Sequence, residues 1–260
     1  MRAAGLGLII LMLAARTRAA DAASAHPSEL CRAAVQAAER RHQTPPGLLA
    51  TMAKVESGRT EQGSGLQPWP WTVDADGQSL FFDAKEDAVA WARQAMARGV
   101  GYIDVGCMQV DLPMHPAAFR SLEQAFDPAA NADYAARFLR ELREGPAGGN
   151  WFAAIGMYHS RTPDLAAAYR QAVAAVGAGL PISTTGAGTT RLRAIRIALA
   201  GGGSARINIG RQPSRVRPHL TACQIAAVLG PYLRSPPRAE ECHPKKSSVQ
   251  VTPSQVFAGD

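Results

Sequence analysis

The chain has 260 residues, 47% of them apolar, and a formal net charge of +7. That length holds one large domain, or a modest domain with extensions, and the apolar share is enough for a buried core. Residues 191–260 carry eleven Lys or Arg against three acidic residues, and residues 26–180 carry fourteen against seventeen. The positive charge therefore belongs to the C-terminal tail, which excludes a basic core.

In chain order, Met1 and Arg2 precede an apolar run of about a dozen residues, too short to span a bilayer, which takes about 20. Ala23, Ser24 and Ala25 form a small-x-small cleavage site before His26, so residues 1–25 are expected to be a signal peptide; the alternative is an uncleaved membrane anchor. Export to an oxidising compartment makes Cys31, Cys107, Cys223 and Cys242 candidates for disulfides, with three pairings open. No two cysteines have CxxC spacing, and no zinc or other metal site is expected.

From residue 28 to residue 176 the chain shows repeated helix punctuation. Ser28 is expected to cap a first helix with Leu30, Ala34, Ala37 and Ala38 on one stripe. Thr44-Pro45 opens a second helix that runs to Glu56, where Ser57-Gly58 breaks it. Asp83 to Glu86 has capping-box spacing ahead of a third helix that Gly99 stops. Asp127-Pro128 starts a helix ended by Gly145-Pro146, Asn150 caps the next, and Thr162-Pro163 opens one that reaches Gly177. One insertion interrupts this series: Trp71, Val73, Leu80 and Phe82 alternate around Asp76-Gly77, a short hairpin signal. The tail, residues 178–260, is rich in Gly, Ser, Thr, Pro and Arg and is expected to be mostly irregular, with one short helix near residue 225.

Three short stretches carry the chemistry. Glu56-Ser57-Gly58 ends an otherwise apolar helix; Gly106-Cys107-Met108-Gln109 forms a tight turn; Tyr158-His159 closes an amphipathic helix. In that order they resemble the Glu-Ser, Gly-Leu-Met-Gln and Ala-Tyr-Asn stretches of the lysozyme-like lytic transglycosylases. The resemblance covers residues 28–169 and implies a mainly α, lysozyme-like domain over residues 26–177 with a small β-hairpin insertion. It departs from the pattern at Cys107, where leucine is expected, and at His159, where asparagine is expected.

The physical logic stands beside the resemblance. Cleaving a glycosidic bond needs a proton on the leaving oxygen, so a carboxyl must stay neutral near pH 7 while facing the cleft. A glutamate at the end of an apolar helix can meet that need, because burial disfavours its charged form and the helix break exposes its tip. No second catalytic acid has an evident place; Asp104 and Asp111 merely flank the turn. The resemblance implies that Glu56 acts twice, first protonating the leaving oxygen and then deprotonating the muramic acid C6 hydroxyl, to give a 1,6-anhydro product.

By matching positions, Ser57 would orient the acetamido side of the sugar or the glutamate, Met108 and Gln109 would line the cleft, and Tyr158 would hydrogen-bond Glu56 or the sugar. His159 would keep a polar contact to substrate, with a pH dependence near 6 to 7. Cys107 either ties the turn to Cys31 on the first helix or is a buried thiol. Trp69, Trp71 and Phe81 of the insertion are read as cover for the core rather than sugar platforms. The expected partners are peptidoglycan glycan strands in the periplasm or cell envelope, with a secretion or conjugation apparatus as a candidate host. Hydrolysis at the same site, as in goose-type lysozymes, or a wall-binding role are the alternatives. No cofactor and no nucleic acid are expected, and membrane contact is confined to the N-terminal segment or, weakly, the basic tail.

Overall fold

A computed structural model describes residues 26–75, 77–180, 193–198, 204–210 and 220–230. The expected signal peptide, Asp76 and Cys242 lie outside the described residues, as does the rest of the tail. The described chain is mainly helical. In order it runs α1 (Pro27–His42), α2 (Leu48–Glu56), β1 (Gly58–Glu61), β2 (Gly65–Pro68), β3 (Thr72–Ala75), β4 (Gln78–Phe82), α3 (Lys85–Ala97), β5 (Ile103–Val105) and β6 (Val110–Asp111). There follow α4 (Leu122–Ala125), α5 (Pro128–Glu144), α6 (Trp151–His159), α7 (Pro163–Gly177), β7 (Arg193–Ala198), β8 (Ser204–Gly210) and α8 (Ala222–Leu229).

Side-chain capping sets two of the expected starts. Asp127 accepts from Ala130 N ahead of α5, and Asn150 accepts from Ala153 N ahead of α6, each satisfying one of the orphan N–H groups of a first turn. Three other starts differ from expectation. The N-cap of α3 is Ala84 rather than Asp83, with no side-chain cap hydrogen bond. His26, not Ser28, is the N-cap of α1, because Pro27 already fills the first helical turn and Ser28 is buried inside it. α2 begins at Leu48 behind Gly47, whose φ of 80° turns the chain; Thr44-Pro45 lies in the connection before it.

The hairpin around Asp76-Gly77 forms as β3 and β4, with Val73 opposite Leu80 and Ala75 opposite Gln78. It is part of a larger sheet in the order β6-β5-β3-β4-β8-β7, beside a separate β1-β2 ribbon. The described part of the tail thus adds two strands that the sequence reading did not contain. Strands β7 and β8 pair with each other, and β8 pairs with β4, Leu80 opposite Ile209. Their glycine- and serine-rich setting hides them, and the edge of β4 supplies the backbone partners that make them strands. The short helix expected in the tail is α8, whose Leu229 is buried in the helical core.

Two apolar clusters result. One gathers α1, α2, α5, α6 and α7 around Leu49, Met52, Leu139, Ile155 and Val173. The other lies between the sheet and α3, around Val73, Phe82, Ala92 and Ile103. Trp69 and Phe81 are buried, and Trp69 Nε1 donates to Phe82 O at 2.7 Å, so these rings do cover the core. The segment between the two clusters, residues 103–111, carries the turn.

Candidate active site

Glu56 closes α2 because the chain behind it is tied down at once. Ser57 is fully buried; its Oγ shares its one proton between Cys107 O at 2.8 Å and Ala53 O at 3.2 Å and accepts from Trp69 N at 3.2 Å. A Cβ on Gly58 would lie 2.1 Å from Lys54 O, so only glycine lets the chain leave the helix there. The Ser-Gly pair after the glutamate therefore serves to stop the helix with Glu56 half-buried at its rim. Ser57 lies beneath the cleft rather than in it, which corrects the expectation that it meets the substrate: its hydroxyl is committed to two carbonyls.

The turn at residues 106–109 is built on two left-handed residues, Gly106 at φ 83° and Gln109 at φ 46°. The strain at Gln109, a non-glycine in that region, is offset by its own amide: Nε2 donates to Gly106 O at 2.9 Å and Thr72 O at 3.2 Å. Asn131 on α5 holds the turn from below, donating to Val105 O and Ala125 O and accepting from Met108 N at 2.9 Å. A Cβ on Gly106 would lie 2.4 Å from Asn131 Nδ2. From the other side, the Cys31–Cys107 disulfide joins the turn to α1, as the sequence reading allowed. Cys223 is also disulfide-bonded. Met108 is fully buried in the helical core, so it fills space under the cleft rather than lining it.

Glu56, Gln109, Tyr158 and His159 come together in one cleft. The tyrosine that bonds the glutamate is not the expected one. Tyr158 Oη donates to Met108 O at 2.8 Å, whereas Tyr169, one helix later on α7, donates to Glu56 Oε1 at 2.5 Å. Tyr158 braces the turn, and burial raises its pKa well above the ordinary tyrosine value. The His159 ring stacks on Tyr169 at 4.9 Å and 9°, so the histidine at the asparagine position steadies the hydroxyl that holds Glu56. Tyr169→Phe is expected to change stability by about 1 kcal/mol, the worth of one net hydrogen bond. Thermal melts check this.

The cleft also holds acids that the sequence reading left as flanks. Strand register puts Asp74 opposite Asp104 and Asp104 opposite Asp111, a row of carboxyls on one face of β3, β5 and β6. Asp104 and Asp111 line the cleft with Glu56. Burial, reinforced by the charges of Asp111, Glu56 and Asp74, pushes the Asp104 carboxyl up to about 8, although the hydrogen bond from Tyr102 to its Oδ2 pulls the other way. Like charges set directly opposite cannot all ionise cheaply, so the middle one keeps its proton. Among the described residues, no cluster of three His, Cys, Asp or Glu is arranged to hold a metal ion.

The proton on Asp104 has a consequence for stability. The folded chain holds it up to about pH 8, whereas the unfolded chain releases it near pH 4. Stability conferred by this group is present below pH 4 and is lost as pH rises to 8. Asp104→Asn is therefore expected to melt higher than the wild type at pH 9, by several kcal/mol in stability, and to lose that advantage at pH 4. Thermal melts across that range measure it.

An aromatic wall completes the cleft. His115, Tyr134 and Phe138 line it; Tyr134 Oη and His115 Nδ1 lie 2.8 Å apart, and the His115 and Phe138 rings meet edge-on at 4.7 Å. Burial lowers the His115 pKa from its ordinary value, against the opposing pull of Asp111. Tyr102, 44% exposed, stands at the mouth. None of these is a site candidate on sequence grounds. Residues 102, 115, 134 and 138 have no common period, and only the folded chain sets the loop after β6 against α5. Compared with family models, with curated proteins and with solved structures, the chain matches none.

Proposed function

We propose that the protein is a lysozyme-like lytic transglycosylase that cleaves the MurNAc–GlcNAc bond of peptidoglycan, with Glu56 as acid and then base. The observation that carries this reading is the convergence of Glu56, the turn at residues 106–109 and Tyr158-His159 on one cleft, three stretches far apart in the chain. Tyr169 bonds one oxygen of the Glu56 carboxyl; the transferable proton then belongs on the other. As the C1–O bond breaks, that proton goes to the leaving oxygen with the bonding pair. The carboxylate so formed takes the proton of the C6 hydroxyl while O6 closes on C1. Glu56 ends protonated and no water is consumed.

Asp104 favours a second reading, hydrolysis, because it gives the cleft the second carboxyl that most glycosidases use. Burial and its acidic neighbours push the Asp104 carboxyl up to about 8, which disfavours it as a base toward water at pH 7, so ring closure is the reaction proposed at neutral pH. Mass spectrometry of released muropeptides tests both: anhydromuramic ends at pH 7 are expected, with reducing ends rising only above pH 8. Reducing ends dominating at pH 7 would overturn the transglycosylase in favour of a muramidase. The proposed setting is the periplasm or cell envelope after export, where such an enzyme would open the wall for a secretion or conjugation apparatus. Among the described residues no helix is long and apolar enough to cross a membrane.

A further inference from the structure

The C-terminal segment has no part in the Glu56 chemistry described so far, yet its helix α8 is built into the core. α8 starts on a complete capping box at Thr221 and is disulfide-bonded through Cys223 in its first turn, so its start is fixed. Leu229 is 2% exposed in the helical cluster, with Leu220, Ile225 and Val228 packed against the same cluster. Val228 sits where α7 has no side chain. A Cβ on Gly177 would lie 2.5 Å from Val228 Cγ1 and 3.6 Å from Thr51 Cγ2. Thr51 belongs to α2; its hydroxyl donates to Gly47 O at 2.8 Å, and its methyl is what borders Gly177. Three helices thus meet at one glycine.

This junction and the Tyr169–Glu56 bond are two rungs between the same two helices. Glu56 lies five residues beyond Thr51 on α2, about 7.5 Å, and Tyr169 lies eight residues before Gly177 on α7, about 12 Å. The two helices therefore run antiparallel. Tyr169 Oη joins them at one end, donating to Glu56 Oε1 at 2.5 Å, and Val228 borders them at the other. α2 has nine residues and no side-chain cap at its N-cap position, so its neighbours set where it lies. Glu39 of α1 fixes its start, accepting from Gly47 N at 3.0 Å and Ala50 N at 3.1 Å. Val228 is β-branched and stiff at χ1, so it holds a spacing rather than yielding to one. A close-packed interior transmits such a constraint along the helices.

We propose that α8 is a positioning element of the cleft: Val228 sets the spacing of α2 and α7 at Gly177, and with it the reach of Tyr169 to Glu56. As a statement about catalysis this rests on Glu56 being the reacting carboxyl, as proposed above. Val228 does not line the cleft, so it acts through the two helices. The C-terminal segment is then part of the working unit, and position 177 is glycine because α8 occupies the place of its side chain.

Denaturant unfolding of the full chain in a double-mutant cycle tests it and asks nothing of catalysis. In the wild-type background Tyr169→Phe is expected to lower the folding equilibrium constant about fivefold, the worth of one net hydrogen bond. In Gly177→Ala, whose Cβ pushes Val228 away, the same change is expected to cost less than about twofold, because the bond is already loosened. Gly177→Ala/Val228→Ala makes room for the added methyl and is expected to restore a cost of about threefold or more. Sites this far apart ordinarily add, so a cost of about fivefold in both the wild-type and the Gly177→Ala backgrounds would overturn the proposal. A cost below about twofold in the wild type would overturn it too, since the bond would then hold nothing. Should Gly177→Ala fail to fold, Val228→Ala alone takes its place under the same criterion. Muropeptide release is expected to fall in Gly177→Ala and to recover in Gly177→Ala/Val228→Ala; release at the wild-type rate from the uncoupled variant sinks the positioning role. Coupling lost as expected, in a protein whose wild type releases no muropeptides, leaves this inference standing and rejects the transglycosylase instead.

Discussion

If the cleft cleaves glycan as proposed, replacing Glu56 with Gln is expected to abolish muropeptide release, by about a thousandfold or more, while the stability of the fold stays within about 1 kcal/mol of the wild type. The asymmetry follows from the environment of the side chain. A glutamine oxygen can still accept the Tyr169 hydroxyl that now bonds Glu56 Oε1, and Ser57 still ties the end of α2 to Cys107 O. What disappears is the proton that the leaving oxygen needs. Mass spectrometry of digests, with circular dichroism as the fold control, reads both halves. A variant that still releases muropeptides at more than a tenth of the wild-type rate would remove Glu56 from the chemistry and leave the cleft a wall-binding groove.

Loss of the Cys31–Cys107 bridge is expected to be the largest stability effect, and to reach the cleft as well. The bond spans 76 residues of sequence, and closing a loop of that size restricts the unfolded chain by about 4.5 kcal/mol. Both sulfurs are fully buried, so the Cys31→Ala/Cys107→Ala variant also leaves unfilled space in the helical core. Cys107 O receives the Ser57 hydroxyl and Met108 O receives the Tyr158 hydroxyl, so loosening this turn frees both sides of the cleft floor. Chemical denaturation should therefore show a lower midpoint, and activity should fall more steeply than the folded fraction does. Activity that simply tracks the folded fraction would mean that the bridge stabilises the chain without shaping the site.

The two variants separate what the cleft does from what holds it. Glu56 carries the proposed chemistry on a scaffold that does not depend on its carboxyl. Cys107, Ser57, Asn131 and Met108 form that scaffold, and none of them meets the cleft through a free side chain. Such a division explains why a short Glu-Ser or Gly-x-Met-Gln stretch can look like a binding motif when half its residues are structural. The serine and the methionine are there to place the glutamate and the glutamine.

Much of this was legible in the residues themselves. The caps at Asp127 and Asn150, the hairpin at residues 72–82 and the helix end at Glu56 are local features, decided within a few residues by dihedral preferences and by the hydrogen bonds a side chain can make to its own backbone. Those signals need no knowledge of the rest of the chain. The tertiary structure alone decided which tyrosine touches Glu56, that Asp104 stands between two other aspartates, and that residues 193–198 and 204–210 complete a sheet begun at residue 72. Each depends on register or on the packing of elements distant in sequence, where a shift of one residue turns a side chain to the opposite face. A sequence records which groups are present; only the folded chain sets the distance and the dielectric between them, and with those the proton on Asp104.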